Sequence, residues 1–205
     1  MQHETGRIEA FSDGVFAIVI TLLILDIRAP QQTPGHSLWL ELGRQWPHYA
    51  AYVVSFTIIG VMWVNHHHIF NHLVRVDRPL LFLNLLVLMV VSGIPWTTAV
   101  MAQNLAVSVD AGLAASVLYS GWMVVYALCF TAFWWYVTRE GHLFHATVDR
   151  AGARGTRVRF GLGAVAYPIA LGLAFISASL TLIAHALIAA YYAANQLAIP
   201  LREPT

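Results

Sequence analysis

An all-α integral membrane bundle of six spans, with both termini cytosolic, is the fold class this sequence predicts, and three observations carry the prediction. Of its 205 residues 59% are hydrophobic and 10% charged, against about 25% charged in a soluble domain. The apolar residues gather into runs that reach the roughly 20 residues a helix needs to cross a bilayer. The basic residues, all of them arginine, fall mostly in alternate gaps between those runs. The spans are placed at 7–28, 47–70, 79–102, 110–137, 157–176 and 178–198; no long polar linker separates them, so 1–205 reads as one domain.

The first span, GRIEAFSDGVFAIVITLLILDI from Gly6 to Ile27, is the one the others are organised around. It is almost wholly apolar from Gly14 to Leu25, yet it carries Arg7, Glu9, Ser12 and Asp13 at one end, Thr21 inside and Asp26 at the other. An ionised carboxylate at helix-core depth costs several kcal/mol unless it faces protein or water. This helix is therefore expected in the interior of the bundle. At about 100° per residue, Arg7, Phe11, Gly14, Ile18, Leu22 and Leu25 share one face, with Thr21 beside it and Ser12 and Asp13 pointing away. An Ile/Leu stripe at this spacing is also what ordinary bundle core looks like, and the stripe alone does not say what it faces.

The connection Ala29 to Trp46 holds Pro30, Pro34 and Gly35 and leads into Pro47, so it is expected to be irregular, with Trp39 and Trp46 as interfacial anchors. The second span ends in WVNHHHIFNH, Trp63 to His72. His68 and His72, four apart, have the spacing of two metal ligands on one helix face. No third ligand is evident, so no metal is expected. The histidines are expected instead to hydrogen-bond with the Ser12 and Asp13 end of the first span. A pairing of Arg7, Asp13 and one histidine would relieve the burial of Asp13, and imidazole could make it pH-sensitive.

Pro95 in the third span and Pro168 in the fifth each remove a backbone hydrogen bond and predict kinks. Cys129, the single cysteine, excludes an intrachain disulfide. The stretch Arg139 to Thr156, with Gly141, Gly152 and Gly155, reads as a plain solvated loop. Ala166, Ala170 and Ala174 form a small-residue stripe suited to close helix approach.

Orientation follows from arginine alone. Arg7, Arg75, Arg78, Arg139, Arg150, Arg154, Arg157, Arg159 and Arg202 lie on one side and Arg28 and Arg44 on the other. That excess puts the termini in the cytosol. No three-span internal repeat is visible, which weakens a transporter reading. No nucleophile elbow, phosphate-cradling glycine loop or carboxylate pair is present, so no enzymatic activity, no cofactor and no nucleic-acid partner are expected.

The first span resembles the signature of bacterial members of the transmembrane protein 175 family, R-x-x-x-F-S-D-G-V-F-A-I, through Arg7, Phe11, Ser12, Asp13, Gly14, Val15, Phe16, Ala17 and Ile18. WVNHHHIF and LLFLNLLVLMVVSGIPWTTAV are similar to the family's second and third helices, with Trp63, His66, Asn84 and Pro95 in corresponding places. GIPWTT departs from the pattern, in which a phenylalanine tends to stand beside the proline; here it is Trp96.

The resemblance implies a potassium-permeable channel in the bacterial inner (plasma) membrane. Single-repeat members assemble as homotetramers around a central pore lined by the first helix, whereas two-repeat animal members pair as dimers. It carries the pore constriction to Ile18, Leu22 and Leu25, with Thr21 as a polar neighbour. Arg7, Phe11, Ser12, Asp13, Trp63 and His66 would be a structural network tying that helix to the next ones. An apolar ring admits an ion only after it sheds part of its hydration, which favours potassium over sodium. Asp26 at the outer mouth would attract cations. The bilayer and permeant potassium ions are then its partners, and proton conduction or proton-coupled transport is the alternative.

Overall fold

The computed structural model describes residues 2–30, 37–195 and 199–201, with backbone alone at 2–4, 159 and 160. Pro34, Gly35 and Arg202 lie outside the described residues, as does the side chain of Arg159. In chain order the helices are α1 (Gln2–Leu22), continued by one 3-10 turn (Leu23–Asp26), α2 (Leu38–Arg44), α3 (Trp46–Phe70), α4 (Arg78–Ser92), α5 (Ile94–Asn104), α6 (Val109–Arg139), α7 (Arg150–Gly161), α8 (Gly163–Ala174) and α9 (Ala178–Ala194). Thr5–Asp26, Trp46–Phe70, Arg78–Asn104 and Val109–Arg139 are long and apolar enough to cross a membrane, and Ala178–Ala194 is a shorter apolar helix.

The starts of α4 and α6 are set by polar caps. Asp77 Oδ1 accepts from Leu80 N at 3.0 Å ahead of α4, and Ser108 Oγ accepts from Ala111 N at 3.1 Å ahead of α6. Each satisfies an amide that has no partner within the helix. α6 is the axle, packed against α4, α5, α7, α8 and α9, with Tyr119, Met123, Phe133 and Trp134 buried along it. A polar knot crosses the apolar core: Ser55 Oγ of α3 lies 2.9 Å from Tyr119 Oη of α6 and 2.8 Å from Thr98 Oγ1 of α5.

The third span is broken rather than bent. α4 ends at Ser92 and Pro95 falls in the first turn of α5, where a missing N–H leaves nothing unpaired. Trp122 fills the break: its Nε1 donates to Val90 O at 2.8 Å, and its ring lies so close to Gly93 that a Cβ there would collide with it. In the expected fifth span Pro168 sits inside an unbroken α8, and the interruption falls at Leu162, between α7 and α8.

Two expected loops are structured. Part of Ala29–Trp46 forms α2. Arg139–Thr156 is not a solvated loop: Leu143, Phe144 and Val148 are buried, and α7 begins at Arg150. Those side chains leave water against the bundle, while the backbone pairs through Val74 N to Leu143 O (2.9 Å), His145 N to His72 O (3.0 Å) and Asp149 N to Pro200 O (2.9 Å). The start of α1, the end of α3 and residues 199–201 thus meet at one end of the bundle, with the arginine-rich connections.

Candidate ion-conduction surface

α1 stands at the edge of the bundle rather than in its interior, backed by α3, α4 and α5. Its buried face carries Ser12, Phe16, Val19 and Leu23. The opposite face is open: Phe11, Gly14, Ala17, Thr21 and Leu22 are exposed there, and Ile18 and Leu25 are 61% and 69% exposed. Ile18, Leu22 and Leu25 are therefore not the core of the chain's own bundle. Large and small side chains alternate along this strip, which lets another helix approach at Gly14 and Ala17 while Ile18 and Leu22 protrude.

Thr21 Oγ1 donates back to its own helix, 2.9 Å from Ala17 O and 2.8 Å from Ile18 O. With its proton held by those carbonyls, the hydroxyl offers only lone pairs to the open face. A side chain in that state can accept from water or touch a cation.

A buried relay fixes the rotation of α1. Ser12 Oγ donates to Ile8 O at 2.9 Å, so it must accept from Asn84 Nδ2, 3.0 Å away. Asn84 Oδ1 is then left to accept from His66 Nε2–H at 2.7 Å. Three helices, α1, α4 and α3, are joined by one amide. His66 is packed among Phe16, Phe70 and Phe133, with ring centroids 5.4, 4.6 and 6.0 Å away. His66 thus reaches the Ser12 end of α1, but through Asn84.

Asp13 is held by a different pair. Trp63 Nε1 donates to its Oδ1 at 2.8 Å, and His67 Nδ1 lies 3.9 Å from Oδ2. The histidine facing Asp13 is thus His67, and the indole supplies what Arg7 was expected to supply. Arg7 and Phe11 lie instead on a groove with Val76, Arg78, Leu81, Phe82 and Leu85. Asp26, at the far end, is an anchor: His48 Nδ1 is 2.9 Å from Oδ2, and Gln103 Nε2 donates to Oδ1 at 2.9 Å. Asn84, His48 and Gln103 had no role expected from the sequence, although the lone amide in LLFLNLLVL was a legible signal; His67 was among the histidines expected at the Ser12 and Asp13 end.

A profile of the family described as endosomal/lysosomal potassium channel TMEM175 matches residues 7–95. A potassium channel of Streptomyces collinus is 59% identical over 201 residues, 98% of this chain and 97% of that one. The crystal structure of a lysosomal potassium-selective channel TMEM175 homolog from Chamaesiphon minutus matches with a TM-score of 0.86 at 38% identity, over 95% of this chain and 98% of that one. The bovine endosomal/lysosomal proton channel TMEM175 is 33% identical over 95% of this chain and 41% of its own length. With a relative so similar along nearly its whole length, and the signature of α1 inside the matched segment, this chain belongs to the TMEM175 family.

Proposed function

We propose that this chain is the subunit of a passive potassium-over-sodium channel of the bacterial plasma membrane, in which four copies bring the open strip of α1 to a shared axis. The observation that carries the reading is the strip itself: an apolar, half-lipid-like face on a helix whose other face is fixed by Ser12, Asn84 and Trp63. Neighbouring helices packed about 8–10 Å apart put each of four axes about 6–7 Å from the centre. A helix with side chains has a radius of about 5–6 Å, so a throat of at most about 2 Å radius remains, wide enough for a bare potassium ion. A fully hydrated cation does not fit such a throat.

Ile18, Leu22 and Leu25 then form stacked apolar rings that offer no replacement for lost water. Potassium holds its water less tightly than sodium and passes at lower cost. The Thr21 hydroxyls, with protons turned inward to the helix, supply oxygen ligands between those rings. Asp26, an acidic side chain at the far end of the strip, adds negative potential near the outer mouth. The chain's relatives are named as channels, which is the support for a non-enzymatic role. The bovine relative's name favours a second reading, proton conduction.

Flux from liposomes containing the purified protein, under separate potassium, sodium and proton gradients, separates the two. The channel reading expects potassium flux above sodium flux and a change in both rate and selectivity in Ile18→Asn. Unchanged flux in that variant would remove Ile18 from the constriction, and a proton current without potassium flux would favour the second reading.

A further inference from the structure

We propose that Glu9, Asp13 and His67 form a site for a divalent transition-metal ion, with zinc the best suited, on the side of α1 turned away from the open strip. One donor atom from each residue lies within 4.8 Å of the other two. His67 Nδ1 is 3.0 Å from Glu9 Oε1 and 3.9 Å from Asp13 Oδ2. Tetrahedral bonds of about 2.0–2.2 Å separate ligand atoms by about 3.3–3.6 Å, so the three atoms already bracket the spacing a metal imposes.

Two further features point to a ligand. His67 Nδ1 is withdrawn from solvent yet makes no hydrogen bond, because its contact with Glu9 has the length of one without the direction. Trp63 supports both neighbours: its ring stacks on His67 with centroids 5.5 Å apart, and its Nε1 occupies Asp13 Oδ1. That leaves Oδ2 on the side of the imidazole and holds both ligands from behind, as outer-shell partners of metal sites do. One imidazole and two carboxylates suit zinc or a neighbouring first-row ion and disfavour magnesium and calcium, which take oxygen. The three side chains are part exposed, at 42%, 18% and 35% for His67, Glu9 and Asp13, and a water would complete a tetrahedral set.

The histidine pair with metal-ligand spacing in the sequence is not the competitor. His72 Nδ1 is committed to His68 O at 2.8 Å, and among the described residues no carboxylate or cysteine gathers with that pair into a three-ligand group. Binding is read without any ion flux, so the site stands apart from the pore reading.

Calorimetric titration of the purified full-length protein with zinc chloride tests it. One zinc ion per chain is expected, with affinity falling more than about tenfold in Glu9→Gln and in His67→Gln, and unchanged in the His68→Gln/His72→Gln double variant. On the wild-type protein, zinc should also protect His67 from acylation by diethyl pyrocarbonate, a readout that needs no variant to fold. No zinc uptake, uptake indifferent to both single variants, or equal acylation of His67 with and without zinc would overturn the site and leave an ion pair.

Discussion

Replacing Asn84 by leucine isolates the relay that holds α1. Leucine keeps the branched skeleton of asparagine and is larger, so no cavity is added. The loss is polar. Ser12 Oγ keeps its own donation to Ile8 O, whereas His66 loses the acceptor for Nε2–H. Moving the proton to the other nitrogen gives no relief, because His66 Nδ1 is buried without a partner as well. A buried imidazole N–H is therefore unsatisfied in either tautomer, at about 1–3 kcal/mol, with interhelical bonds in bilayers averaging the lower figure of about 0.6 kcal/mol. Removing both partners of a buried bond is close to neutral, so Asn84→Leu combined with His66→Phe should recover most of the loss. Reversible unfolding in mixed micelles, titrated with dodecyl sulfate, measures the parent and both variants. A single variant as stable as the parent, or a double variant no better than the single, would refute the relay.

Three further predictions concern different parts of the molecule. Thr21→Val removes a hydroxyl contact worth about 0.5–1.5 kcal/mol, so the potassium-to-sodium flux ratio should fall by a factor of about 2–12, while Thr21→Ser keeps it. Gly93→Ala drives a methyl into the Trp122 ring and should destabilise the protein by about 1–3 kcal/mol, seen as a lower midpoint in thermal unfolding. Asp26→Asn should reduce potassium flux at low ionic strength and much less at high, because screening removes long-range attraction; equal reduction at both would leave Asp26 as an anchor for His48 and Gln103 only.

How much was legible in the sequence depended on whether the signal was local. The two faces of α1 follow from spacing along one helix, and the structure exposes the face on which Ile18, Leu22 and Leu25 were grouped. A kink near Pro95 was expected from that residue's own covalent chemistry; the break at Gly93 was not, since Trp122 comes from a distant helix to fill it. Which histidine faces which polar group was not legible. HHH places three imidazoles about 100° apart, and only the packing of α1 against both α3 and α4 assigns His66 to Asn84 and His67 to Glu9. The Arg139–Thr156 connection was misread for a related reason: polar composition suggested solvent, but Leu143, Phe144 and Val148 at isolated positions suffice to pin it.

A density map of the assembled protein in a lipid nanodisc tests the central claim most directly. Four α1 helices around one axis, with the Ile18 side chains facing one another across a narrow apolar throat, is the predicted result. Ile18 in contact with lipid, with a different helix around the central opening, would contradict it.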